Sequence, residues 1–257
     1  SQRVNSATPI VYIPTNRTDR ILQANNHTFG SRDNANADLD YHYTDSAGRE
    51  LNIDADFGGY RIRSNQLQPN NYFDSTGRDL LYSNDYNIIS PTNIHIYSLK
   101  LDYDQNFLKG RLSFGGKTSY VTTTNDFLEY DIFSSGPVMD TLSSDNFNYK
   151  ENINALYVNY EKTMKGWSFQ AGLRGENTNL KGTSTGYKAD DDGYIRYDSS
   201  FTRHYTDLFP SAAITYNKDP ARQWTLNYSR RIDRPAYQDL NPFQFKIDDY
   251  TFSQGNT

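Results

Sequence analysis

The chain has 257 residues and a net charge of −5, a length that suits one large all-β domain or two ordinary ones. Hydrophobic residues make up only 35% of it while aromatics reach 15%, and there is no cysteine. That balance excludes a disulfide scaffold, a thiol nucleophile and a cysteine metal site, and the acidic excess argues against a nucleic-acid partner.

No run approaches the roughly 20 apolar residues of a membrane helix. Membrane strands remain open, because a barrel strand needs only about 10 residues of alternating character. No signal peptide stands at the front, so the chain reads as mature, trimmed or a fragment. Residues 1–34 are polar, are broken by Pro9, Pro14 and Gly30, and have one apolar patch at 10–13. They read as a loop with one short strand, leaving 35–257 as the main domain.

Alternation starts at Ala35. Ala37, Leu39, Tyr41 and Tyr43 take one side while Asp38, Asp40 and His42 take the other, and Asp45 to Gly48 signals a turn. The return arm sets Leu51, Ile53, Ala55 and Phe57 against Asn52, Asp54 and Asp56, so four Asp point into an aqueous space. After a polar stretch at 63–93, the third arm has Tyr97, Leu99, Leu101 and Tyr103. The fourth has Leu112, Phe114, Gly116, Thr118 and Tyr120. A second polar stretch at 130–146 leads to Leu156, Val158 and Tyr160, with Asn154 as an exception. Past a turn at 162–166, the sixth arm sets Trp167, Phe169, Ala171 and Leu173 against Ser168, Gln170, Arg174 and Glu176. A third excursion, 178–203, precedes the last hairpin. Its arms place Leu208, Pro210, Ala212, Ile214 and Tyr216, then Trp224, Leu226, Tyr228 and Ile232, on one face around a turn containing Pro220.

The series predicts about eight strands in four hairpins, with short connectors within hairpins and long ones between them. That is the pattern of an all-β, antiparallel up-and-down transmembrane barrel, with tight periplasmic turns and extended external loops. Tyr43, Tyr103, Tyr160, Trp167, Tyr216 and Trp224 all lie on the apolar face beside the short turns, as an interfacial girdle would. Charges on the wet faces, such as Arg174 with Glu176 and Arg231 with Asp233, read as cross-strand pairs lining the lumen.

Motifs with chemical potential are weak. Gly182-Thr-Ser184-Thr-Gly186 matches a nucleophile elbow in letters, but no helical period follows it. The run from Asp190 to Gly193 lacks the closing Glu of a calcium loop, and His27, His42, His95 and His204 have no ligand spacing. A non-enzymatic role without cofactor or metal is expected. Rings in the polar stretches, Tyr72, Phe73, Tyr82 and Tyr86 in one and Phe127, Tyr130 and Phe133 near another, are candidate ligand contacts.

The run 207–243 resembles the C-terminal barrel of TonB-dependent outer-membrane receptors of the outer-membrane β-barrel family. The resemblance rests on LFPS at 208–211, YSRRIDRP at 228–235, LNPF at 240–243 and the Gly255-Asn256 pair. AGLRGENT at 171–178, YVNYEK at 157–162 and DSAGRELNIDADF at 45–57 resemble the same family. It implies a slice of a barrel of about 22 strands, located in the outer membrane and bounded by lipid. It further implies a plug domain and TonB in the parent protein, a surface lipoprotein partner and an imported nutrient. The alternative is a soluble secreted β-sandwich that binds glycans. The raw edges of such a slice, near 35–43 and 223–232, are expected to pair with each other in a smaller barrel or with a second copy.

Overall fold

The structure, a computed structural model, describes residues 1–191, 193–219, 222–234 and 244–254. Pro220, Asp192, Pro235, the run 240–243, Gly255 and Asn256 lie outside the described residues. β1 (Gln2–Tyr12), β2 (Arg17–Thr44), β3 (Glu50–Asp74), β4 (Leu80–Ile89), β5 (Thr92–Phe107), β6 (Gly110–Phe133), β7 (Gly136–Met164), β8 (Trp167–Asp190), β9 (Gly193–Asp219) and β10 (Arg222–Ser229) form one antiparallel sheet. β11 (Gln244–Asp248) and β12 (Thr251–Gln254) form a separate hairpin. Sheet order follows chain order, except that β4 and β5 share one place between β3 and β6. They are two halves of a strand interrupted at Pro91, which has no N–H to give the ladder; its carbonyl still accepts from Asp126 N at 3.1 Å.

Seven of the eight alternating arms lie wholly in strands and the eighth does so as far as Ser229, short of Ile232; the register sets apolar position against apolar position, as in Tyr43 with Leu51, Leu51 with Tyr103 and Tyr103 with Phe114. The connectors within the first three hairpins are as tight as expected. Leu108 and Lys109 take φ of 47° and 60°, and Lys165 and Gly166 take 50° and 83°, the left-handed pair that matches strand twist in a two-residue hairpin. At the first short turn the Asp45 carboxylate accepts from Ala47 N at 2.9 Å and Arg49 N at 3.0 Å.

Three expectations are corrected. Residues 1–34 are not a loop: β1 pairs with Arg17 to Thr28 of β2, Pro9 falls in an edge strand where proline is tolerated, and Gly30 leaves room for the Arg63 carbonyl. The polar stretches 63–93, 130–146 and 178–203 are largely continuations of strands. β7 runs for 29 residues, far beyond the roughly 10 that a membrane demands. Their inner faces bury Ile88, Phe127, Phe147, Tyr149 and Leu180 in a core flanked by Phe201 and Tyr205, which holds the wall together where no lipid supports it.

The third correction concerns closure of the edges on each other, not their pairing with a second copy. Among the described residues, neither β10 nor residues 29–44 of β2 has a strand on its free side, so the chain does not close on itself. A tight barrel fills its interior with side chains, whereas here the inner face carries charged pairs that include Arg234 and Lys246 from beyond β10. The β-sandwich alternative also falls away. Among the described residues no second sheet covers the apolar face, on which Leu39, Leu156, Trp224 and Leu226 are 72%, 75%, 73% and 74% exposed.

Candidate functional site

On the outer face the six short-turn aromatics share one side of the sheet. Tyr43 lies on a row that runs through Leu51, Tyr103, Phe114, Val158 and Leu173 to Pro210. Tyr160 stands two residues nearer the short turns than this row, and Trp167, Tyr216 and Trp224 stand six nearer. The drift is always in one sense. Tilted barrel strands produce such a stagger, because positions of equal height advance along the register from strand to strand. Neighbouring rings touch, with Trp167 and Tyr216 centroids 4.6 Å apart and Tyr103 and Phe114 5.1 Å apart.

The inner face at the same depth is ionic. Asp38 faces Asp56 and Asp40 faces Asp54 across the first hairpin. Lys100 pairs with Asp102 and reaches Asp54 at 3.7 Å, and Tyr157 donates its hydroxyl to Asp102 at 2.5 Å. Arg174 lies over the Tyr157 ring, 5.3 Å from its centroid, and pairs with Glu176 at 2.5 Å, but both stand on β8, so the pair runs along one strand and not across two as expected. Glu176 also binds Arg234 at 2.6 Å. The returning chain beyond β10 is thereby pinned onto the wall. Arg231 and Asp233 make no such pair among the described residues, because β10 ends at Ser229 before reaching them.

The long-strand end holds a second assembly. β11 and the turn that follows it lie against the inner face of β2, β3, β4 and β6. The Asp249 carboxylate accepts from Tyr72 Oη at 2.5 Å, Asn84 Nδ2 at 3.1 Å and Asn70 Nδ2 at 3.3 Å. Lys246 pairs with the fully buried Glu129 and sits 4.6 Å from the Tyr86 ring centroid. Asn26 Nδ2 donates to Ile247 O at 2.8 Å. Burial, and then the hydrogen bond to Asp249, push the Tyr72 hydroxyl far above its ordinary range, so it remains a donor. Burial likewise raises the Glu129 carboxyl, with Lys246 opposing.

Of the expected ring contacts, Tyr72 and Phe73 belong to β3 and Tyr82 and Tyr86 to β4, not to loops. Tyr72 is 2% exposed and stacked on Tyr82 at 4.4 Å. Tyr72, Tyr82 and Tyr86 occupy the inner face, and Phe73, one residue out of phase with Tyr72, the other. Phe127 is in the core, Tyr130 is half-buried and Phe133 is exposed at the rim. The sequence reading did not single out Gln68, Asn70, Asn84, Glu129, Lys246 or Asp249. Polar residues in polar stretches give no periodic signal, and only the fold brings these together.

The literal G-x-S-x-G lies in mid-strand β8, without the sharp turn that an elbow requires. Its glycines face Phe201 and Tyr197, and a Cβ at Gly182 would overlap the Phe201 ring.

No curated protein and no solved structure matches the chain. A family model described as outer membrane protein beta-barrel family matches residues 42–257. A single antiparallel wall, oily and uncovered on one side and ionic on the other, is what such a family builds, and the chain belongs to the outer membrane protein beta-barrel family, located in the outer membrane.

Proposed function

We propose that the chain is part of the barrel of a TonB-dependent outer-membrane receptor that imports a nutrient. The observation that supports this most directly is the open sheet of ten strands with an ionic inner face. A wall of that width with both edges free belongs to a barrel wider than eight strands, whose lumen needs water or a filling domain. In this reading the free edges of β2 and β10 pair with further strands of the parent, the plug packs against the ionic ladder, and the nutrient enters past the β11–β12 hairpin. The family resemblance at 207–235 points the same way.

The test uses the full-length parent protein, purified in detergent and titrated with the purified periplasmic domain of TonB. A complex with a Kd in the micromolar range is the expected result. A correctly folded parent that fails to bind, under conditions where a known receptor does, would overturn the reading and leave an outer-membrane barrel of another kind.

A further inference from the structure

Rows further from the short turns change character on the outer face of β6, β7 and β8. Lys150 is ten residues from Tyr160 on β7, and Asn177 is ten from Trp167 on β8. Ten residues tilted by about 40° rise about 25 Å, the height of the apolar band. Lys150 and Asn177 therefore mark the opposite, external membrane interface. Lys150 stands directly across from Lys181 on the same exposed face, and Lys181, four residues beyond Asn177 on β8, lies on the external side of that interface. Like charges directly opposite each other weaken a sheet, and among the described residues neither lysine makes an ion pair. Their row continues into Thr122 and Thr202, and the nearest acids on this face near them, Asp126 and Asp198, lie on the row four residues further out.

Just inside the lysines is a ladder of side-chain amides. Asn154 donates to Asn152 at 2.5 Å, Asn179 to Asn177 at 2.7 Å and Asn177 to Thr206 at 3.0 Å, while Thr118 donates to Asn154 at 2.7 Å. Lipid tails offer amides nothing, so a face of this kind in the upper band calls for a polar neighbour. Beneath the ladder a groove of about 810 Å³ is lined by Leu101, Phe114, Leu156, Gly116 and Gly175. The two glycines lower its floor while Leu156 forms a ridge.

We propose that this face of β6–β8 binds an anionic glycolipid of the outer leaflet. Its phosphate sits between Lys150 and Lys181, its sugar hydroxyls lie along the asparagine ladder and an acyl chain fills the groove. The three parts occur in the order and at the heights of phosphate, sugar and chain in one such molecule, and the site adjoins the lipid interface that the family establishes. It does not depend on transport.

The test is native mass spectrometry of the full-length parent in detergent with three probes: a phosphorylated acylated glycolipid, the same glycolipid without phosphate, and phosphatidylethanolamine. The phosphorylated probe should be held by the natural protein, about tenfold more weakly by the K150Q/K181Q double variant, and normally by K150R/K181R. Gly175→Val should weaken all glycolipid binding by filling the groove; a Cβ there meets only Leu208 Cδ2 at 3.4 Å, so the fold tolerates it. Equal retention by K150Q/K181Q and the natural protein, or equal retention of phosphatidylethanolamine and the phosphorylated glycolipid, would overturn the proposal.

Discussion

At the scale of single residues, glycines make room for rings lying across the sheet. Gly182 faces Phe201, Gly186 faces Tyr197 and Gly115 faces Tyr157, all on the inner face. A strand glycine leaves backbone that a neighbour's ring can cover. Ser184, between Gly182 and Gly186, shares their face because the strand period is two. Gly182→Val should therefore destabilise the parent by roughly 1–3 kcal/mol through overpacking against Phe201, whereas Ser184→Ala should cost about 1 kcal/mol through the lost hydrogen bond to the Tyr197 hydroxyl. Thermal unfolding in detergent, followed by gel mobility, measures both. A larger effect at Ser184 than at Gly182 would contradict the ring-packing account. The spacing of these three residues was legible in the sequence, but its meaning required knowing that 178–203 is strand.

At the scale of elements, the long strands and the docked hairpin were the hidden parts. Within the membrane one face of each strand is oily, so alternation shows; beyond it polar and apolar residues mix on the faces, and Gln68, Asn70 and Asn84 look like loop residues although they are in β3 and β4. Among the described residues the β11–β12 hairpin is held to the wall through Lys246, the Ile247 carbonyl and Asp249, which accepts from Asn70, Tyr72 and Asn84. Asp249→Ala leaves the donors of Asn70, Tyr72 and Asn84 without their acceptor, which favours their solvation and the hairpin's release. Tyr72, protected from tetranitromethane in the natural protein, should become nitrated in the variant. Unchanged protection would mean that Lys246 and Asn26 suffice to hold the hairpin.

For the whole molecule, the stagger of the short-turn aromatics decides whether they form one ring in the membrane. The chain's two tryptophans, Trp167 and Trp224, both flank Tyr216. In vesicles, their share of the parent's fluorescence, obtained by difference from W167F and W224F, should be quenched about twofold more by lipids brominated near the headgroup than by lipids brominated near the chain ends. The reverse order would place both rings at mid-membrane and remove the girdle. By itself the sequence determined the eight alternating arms, the tight turns between them and which face of each arm is oily, because these follow from a two-residue period and from turn chemistry acting over a few neighbours. Only the tertiary structure decided how far the strands extend, that the edges stay apart, and that Lys246, Asp249 and Arg234 return to the wall. Those outcomes depend on pairing and burial between residues up to 221 positions apart, as Asn26 and Ile247 are, for which no local pattern exists.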